Sequence, residues 1–207
     1  MATNTQLKNL IRNVWAVGRN YSEHARELGN AAPSPQAEPM IFLKAGSGVV
    51  TDRGTFQLPG FSADVHHELE VAFRFGPNGE FDAVTLAIDL TARDLQNKLK
   101  SQGHPWTLAK SFRDACLMGP PVTLPQNLED ITFELKINGE RRQAGNTRDM
   151  IHAPEKLRRY VLERFPVVEG DYLLTGTPAG VGPVRAGDHL EAEIPGVLKA
   201  SWRAADS

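Results

Sequence analysis

"DVHHELEVAF", Asp64 to Phe73, reads as a β-strand, yet it carries two glutamates and two histidines where a strand favours valine and threonine. Side chains alternate along a strand, so His66, Glu68 and Glu70 share one face, and His67, Leu69, Val71 and Phe73 the other. Residues two apart stand roughly 6.5–7 Å from each other at Cα, close enough for both carboxylates to reach one cation. Without a cation, two buried like charges repel, and each raises the pKa of the other. A half-exposed strand with a solvated polar face fits the same residues and needs no ligand.

A third oxygen ligand is offered downstream by "AIDLTARD" (87–94). Asp89 follows Leu86, Ala87 and Ile88 at the end of an apolar strand, where a carboxylate is costly unless something binds it. Asp94 lies three residues after Thr91, the capping-box spacing for a helix over "TARDLQNKLKSQG" (91–103), so its expected role is structural. Two glutamates and an aspartate form an all-oxygen set that suits Mg²⁺, Mn²⁺ or Ca²⁺ better than zinc, although His66 leaves a zinc reading open.

Three further stretches carry chemistry. In "SEHARELG" (22–29), His24 and Glu27 are side by side at i and i+3. A histidine oriented by a carboxylate can take a proton from water; such a pair is also a common surface contact. Lys110, in "PWTLAKSF" (105–112), stands among apolar neighbours, either snorkelling to solvent or neutralising a substrate carboxylate. "TGTPAGVGP" (175–183) has neither the lysine of a P-loop nor a G-x-G-x-x-G, which excludes a nucleotide fingerprint. Thr175, Thr177 and the nearby backbone amides suit a carboxylate.

The whole chain bounds these readings. Its 207 residues suit a single domain, 1–207. A formal net charge of −2, with scattered basic residues, argues against nucleic-acid and membrane surfaces. One cysteine, Cys116, excludes an internal disulfide framework, and its apolar neighbours imply a buried, inert thiol. No apolar run approaches the ~18 residues of a membrane span, and the N-terminus lacks a signal-like apolar core. A cytoplasmic location is the expectation.

"NVWAVG" (13–18) and "MIFLKAG" (40–46) read as strands. Between them lie a short helix, capped by Asn20 or Ser22 and stopped at Gly29, and a proline-rich loop, "NAAPSPQAEP" (30–39). "HHELEVAFRF" (66–75) is a longer strand followed by the turn "PNGE" (77–80), and "TFELKINGERRQAG" (132–145) is a hairpin about Asn138-Gly139. "APEKLRRYVLERF" (153–165) is an amphipathic helix with Pro154 at its start. Short strands with Gly/Pro turns fill the remainder. Strands outnumber helices without alternating with them, which predicts a β-rich α+β fold.

Taken in order, "GRNYSEHARELG", "FLK", "HHELEVAF", "DLTARDLQ", "PWTLAKSF", "INGERRQ", "DMIH" and "EGDYLLTGTPAGVGPV" resemble the fumarylacetoacetate hydrolase superfamily, in its short acylpyruvate hydrolase and oxaloacetate decarboxylase branch. The resemblance runs from about Trp15 to Glu193. It implies the mixed β-roll of the family's C-terminal domain, a homodimer, and Mg²⁺ or Mn²⁺ held by Glu68, Glu70 and Asp89. It gives His24 and Glu27 a water-activating role on a lid within 20–39, makes 1–12 a lead-in, and makes Lys110 the active-site lysine. Arg19, Gln96 and Thr177 match positions lining the substrate pocket. The activity implied is hydrolysis of a small dioxo acid, an acylpyruvate such as fumarylpyruvate or acetylpyruvate, to pyruvate and a carboxylic acid. Oxaloacetate decarboxylation, isomerisation of a carboxymethyl-hydroxymuconate-type diacid, and a metal-binding subunit without catalysis are the alternatives. Only 18 residues separate Glu70 from Asp89, shorter than in relatives by about one small helix. The missing part normally packs outside the metal centre, so ligation is expected to survive. After Lys44, "AGSG" stands where proline is more usual.

Overall fold

The structure, a computed structural model, describes residues 11–206 apart from residue 28 and residues 30–32. The lead-in expected at 1–12 thus lies almost wholly outside the described residues, as does part of the 20–39 segment. In chain order the elements are β1 (Asn13–Gly18), α1 (Ser22–Glu27), β2 (Met40–Ala45), β3 (Val49–Thr51), β4 (Thr55–Phe56), β5 (Val65–His67), β6 (Leu69–Phe75), β7 (Phe81–Asp89) and β8 (Thr91–Ala92). Then follow α2 (Arg93–Gln102), α3 (Thr107–Lys110), β9 (Cys116–Met118), β10 (Thr132–Ile137), β11 (Glu140–Asn146), α4 (Pro154–Arg164), β12 (Tyr172–Leu174), β13 (Gly182–Pro183), β14 (His189–Ile194) and β15 (Leu198–Ala204). The fold is α+β and strand-rich, as the sequence pattern predicts.

A seven-stranded sheet runs β2-β1-β12-β6-β7-β9-β3, a five-stranded sheet β11-β10-β14-β15-β4, and a small one β13-β5-β8. Alternation along β6 points Leu69, Val71 and Phe73 into the main core, together with Phe133 and Leu135 of β10 and Trp202 of β15. The opposite face of the large sheet carries a second cluster that includes Val14, Ala72, Ala87 and Leu174. Cys116 belongs to that cluster, and burial pushes its thiol up to about 12, so it is inert as expected.

The single strand expected over 66–75 is instead two. It breaks at Glu68, where the chain leaves the small sheet and enters the large one. The Leu69 N–H donates to the Gln143 side chain, and β7 returns across the same seam through Leu90 into β8. Since Leu69 pairs with Ile88, and the Asp89 N–H donates to the Glu68 carbonyl at 2.8 Å, Glu68 and Asp89 face each other where the two sheets part. The short Glu70–Asp89 segment is simply the β6–β7 hairpin, closed by a tight turn with Gly79 at φ +79°. The second hairpin turns through Asn138 (φ +53°) and Gly139 (φ +81°), the double left-handed geometry that Asn-Gly favours.

One capping expectation fails, and one of the two caps expected for α1 is excluded. The N-cap of α2 is Ala92, without a side-chain bond; Thr91 lies in β8, and Asp94 instead accepts from Ser62 Oγ at 2.6 Å and the Ala63 N–H at 3.1 Å. Asn20 does not cap α1, because its amide is spent on the His152 backbone and the Thr175 carbonyl. The loops after β1 and β12 are thereby stapled together. At the opposite end of this parallel strand pair, the buried Asp171 carboxylate accepts from Asn13 N (3.0 Å), Asn13 Nδ2 (3.0–3.1 Å), Trp15 Nε1 (3.0 Å) and Val168 N (3.2 Å). Asp171→Ala would strand the buried Trp15 N–H and the part-buried donors of Asn13 and Val168, and is expected to cost roughly 2–4 kcal/mol. Urea denaturation checks this as a lower midpoint at unchanged slope.

Candidate metal centre and active site

The seam between the sheets brings Glu68, Glu70 and Asp89 together. One ligand oxygen from each lies within 4.8 Å of the others, and all three residues are buried. A cation bonding oxygen at roughly 2.1–2.4 Å reaches oxygens up to about 4.8 Å apart, so the set fits one Mg²⁺- or Mn²⁺-like ion. His66 is not part of it: its Nε2 pairs with Asp64 Oδ1 at 2.9 Å. An all-oxygen donor set remains, which can hold a divalent metal.

Three cations, two of which the sequence reading gave no role, compensate this charge. Lys110, carried by α3, donates to Glu68 Oε2 (2.8 Å), Asp89 Oδ2 (2.7 Å) and Thr91 Oγ1 (2.6 Å). Arg93, at the start of α2, donates to Glu68 Oε1 and to Gln96 Oε1. Lys44 on β2 donates to the Leu90 and Lys110 carbonyls, and its Nζ lies 2.7 Å from Asp89 Oδ1. That last contact lacks hydrogen-bond alignment, and Asp89 Oδ1 has no hydrogen-bond donor. Lys44 answers the charge of that oxygen, yet it accepts no hydrogen bond; a buried carboxylate oxygen left so, in a residue grouped with two glutamates, fits metal ligation.

Glu70 has no ion-pair partner among the described residues and accepts only the Gly176 N–H, at 2.5 Å. That approach requires glycine: φ is +94°, and a Cβ on residue 176 would lie 2.7 Å from the Asn20 Cβ. Burial, with Asp89 and Glu68 beside it, holds the Glu70 carboxyl well above the usual range. Burial would also raise Glu68, but Lys110 and Arg93 outweigh it and hold that carboxyl far below its ordinary value. Lys110 runs opposite: burial opposes its charge, and Asp89 and Glu68 more than restore it.

The expected pocket residues converge here. His24, Arg19, Gln96, Lys110 and Thr177 line one cleft with Glu68 and Glu70, while Asp89 lies behind them. The His24 Nδ1 lies 3.3 Å from Glu27 Oε2, and the Glu27 carboxylate accepts the Gly180 N–H at 3.0 Å. Burial lowers the His24 pKa below 6.5, against the pull of Glu68 and Glu27. Arg19 is held at φ +59°, a strained setting for a non-glycine residue, on the cleft wall. Lys100 also lines the cleft, with Nζ 5.0 Å from the Trp106 ring centroid; burial, then Arg93 and Arg19, push its pKa down to about 8. Arg93, Gln96 and Lys100 recur at i, i+3 and i+7 along α2, a helical stripe that could have been read from "RDLQNKLK".

One protein family matches most of the chain, and several proteins of known structure resemble it. The family described as fumarylacetoacetate (FAA) hydrolase C-terminal matches residues 13–202. The mitochondrial oxaloacetate tautomerase of Bos taurus is 39% identical over 205 residues, covering 93% of this chain and 91% of its own. Fumarylpyruvate hydrolase from Pseudomonas aeruginosa, solved with Mn²⁺ and pyruvate, superposes at a TM-score of 0.88 with 28% identity, covering 95% of this chain and 91% of that one. The 5-carboxymethyl-2-hydroxymuconate delta-isomerase of Mycobacterium smegmatis superposes at 0.83 with 30% identity, covering 96% and 80%.

A metal binds the ionised Glu70 carboxylate, whose pKa is raised, so apparent Mn²⁺ affinity is expected to fall as pH is lowered through that raised range. Calorimetry in buffers of different ionisation enthalpy should register proton release on Mn²⁺ binding that grows as pH is lowered into that range. Glu70→Gln should abolish that release and weaken binding by roughly tenfold or more.

Proposed function

The chain belongs to the fumarylacetoacetate hydrolase family, and from this premise we propose that it is a divalent-metal-dependent hydrolase that cleaves the carbon–carbon bond of acylpyruvates. The observation that carries the reading is the His24–Glu27 pair on the wall of the carboxylate cleft. Glu27 accepts from Nδ1, so the neutral ring keeps its proton there and offers the Nε2 lone pair as a base. Burial keeps the ring neutral at pH 7. Neither a decarboxylation nor a purely metal-binding role needs such a base.

Glu68, Glu70 and Asp89 would hold the Mg²⁺ or Mn²⁺, which supplies a Lewis acid for the carboxylate and 2-oxo oxygens of the substrate. His24 takes a proton from the water that attacks the distal carbonyl. The C3–C4 bond then breaks: C4 leaves as the carboxylic acid, and its bonding pair passes to C3 as the pyruvate enolate. Lys110, fully charged beside Glu68 and Asp89, stabilises the developing negative charge. Protonation at C3 releases pyruvate. Arg19 and Lys100 on the same wall favour an acyl group with its own carboxylate, so fumarylpyruvate is the better substrate and acetylpyruvate the poorer.

A second reading, oxaloacetate tautomerase, is favoured by the relative of that name at 39% identity. It uses the same enolate and the same base, with His24 moving a proton at C3 and no attacking water.

Loss of the enol absorbance of fumarylpyruvate and acetylpyruvate, with Mn²⁺ or Mg²⁺ and again with excess EDTA, separates the readings. Metal-dependent loss with stoichiometric pyruvate is expected; ketonisation of enol-oxaloacetate without acylpyruvate cleavage would replace the hydrolase with the tautomerase. His24→Ala should lower kcat at least 100-fold and leave Mn²⁺ affinity nearly intact. Because the folded imidazole titrates below 6.5, kcat/KM should hold as pH falls through 6.5 and decline only beneath it. Lys100→Met should raise KM roughly tenfold for fumarylpyruvate and leave acetylpyruvate unchanged.

A further inference from the structure

Gln143 is buried (1% exposed) at the end of the second hairpin, outside the cleft, and its amide makes every hydrogen bond it can. Oε1 receives the Leu69 N–H at 2.9 Å and lies 2.9 Å from His67 Nδ1; Nε2 donates to the Pro178 carbonyl at 3.0 Å and to Thr177 Oγ1 at 2.8 Å. Two of these partners leave no freedom, since a backbone N–H only donates and a carbonyl only accepts. They determine which end of the amide is oxygen. Two consequences follow. The neutral His67 ring must carry its proton on Nδ1, and Thr177 Oγ1 must act as an acceptor toward Gln143.

We propose that Gln143 is a positioning residue: by donating to Thr177 Oγ1, it obliges the Thr177 hydroxyl to aim its own proton into the cleft, toward an anionic oxygen of the substrate. Among the described residues, no protein acceptor takes that proton. Thr177 lines the cleft with Glu70 and Arg93. Its loop is held from two more sides, by the Gly176 N–H on Glu70 and by the Asn20 amide on the Thr175 carbonyl. The hydroxyl is thereby a donor of preset direction, which suits a carboxylate or oxo group and disfavours a substrate that can only donate there. The proposal rests on the reading that the cleft takes a 2-oxo acid, and is independent of which bond is then broken.

The probe is pyruvate, titrated calorimetrically into protein saturated with Mn²⁺, so no turnover is required. Thr177→Val should weaken pyruvate roughly tenfold, as for a hydrogen bond to a charged group. Gln143→Glu, whose oxygens can only accept when ionised, should draw the Thr177 proton away and weaken pyruvate to a similar extent. Mn²⁺ affinity should stay within about twofold in both variants. In the Thr177→Val background, Gln143→Glu should add nothing further. Additive losses, or an unaffected Gln143→Glu protein, would overturn the proposal. Should Gln143→Glu not fold, ¹⁵N NMR of the unaltered protein decides: a neutral His67 ring protonated at Nδ1 supports the proposal, and one protonated at Nε2 sinks it. Pyruvate binding without turnover of any dioxo acid would remove the hydrolase reading and leave this one standing. Absence of pyruvate binding to the unaltered protein would remove both.

Discussion

Three carboxylates share a pocket from which water is largely excluded, and their mutual repulsion is the constraint around which the rest is arranged. In such surroundings, like charges a few ångströms apart cost several kcal/mol unless cations answer them. Lys110 answers two, Arg93 one and Lys44 one. Those cations come from β2, α2 and α3, so three separate elements are tied to the site by charge. Glu70 is the exception: among the described residues it has no ion-pair partner, and burial first, then Asp89 and Glu68, raise its pKa.

The backbone solves the placement problem with one device. Two neighbouring strands leave one sheet and enter another at the same register, Glu68 opposite Asp89, and the parting sheets open the space the carboxylates fill. The same seam supplies Thr91 Oγ1 to Lys110 and the Leu90 carbonyl to Lys44. Shortening the connection from Glu70 to Asp89 is harmless for this reason. The register of the hairpin, not the length of its far end, places Asp89.

Much of this was legible in the residues, and the failures share a cause. The i, i+2 glutamates, the strand-end aspartate and the misplaced lysine announced themselves as charges in apolar runs. The Asn138-Gly139 and Pro77–Glu80 turns, the Pro154 helix start and the Gly103 stop of α2 are local signals, and local signals held. What failed depended on partners distant in sequence. Thr91 and Asp94 have capping-box spacing, yet Lys110 and the Ser62–Ala63 turn claimed their side chains. Asn20 gave up a cap for bonds to residues 132 and 155 positions away. Lys44 had no sequence signal beyond its apolar neighbours, since its partners are carbonyls and a carboxylate on two other segments, at 89–90 and at 110. Gln143 had none beyond its place at the end of "INGERRQ", because a glutamine on a hairpin is unremarkable until its four partners converge.

The charge balance of the cleft also bears on what it can accept. Lys44, Arg93 and Lys110 match the three carboxylates one for one when Glu70 is ionised. A bound divalent ion therefore leaves the centre with two surplus positive charges, and Arg19 and Lys100 add two more at the cleft wall. The Lys100 pKa is lowered by burial first, and repulsion from Arg93 and Arg19 adds to it. A neutral ligand would leave that repulsion in place, whereas a monoanion would relieve it at one end only. On the proposed function, a dianion would relieve it at both ends, and this charge balance is the electrostatic argument for a diacid substrate.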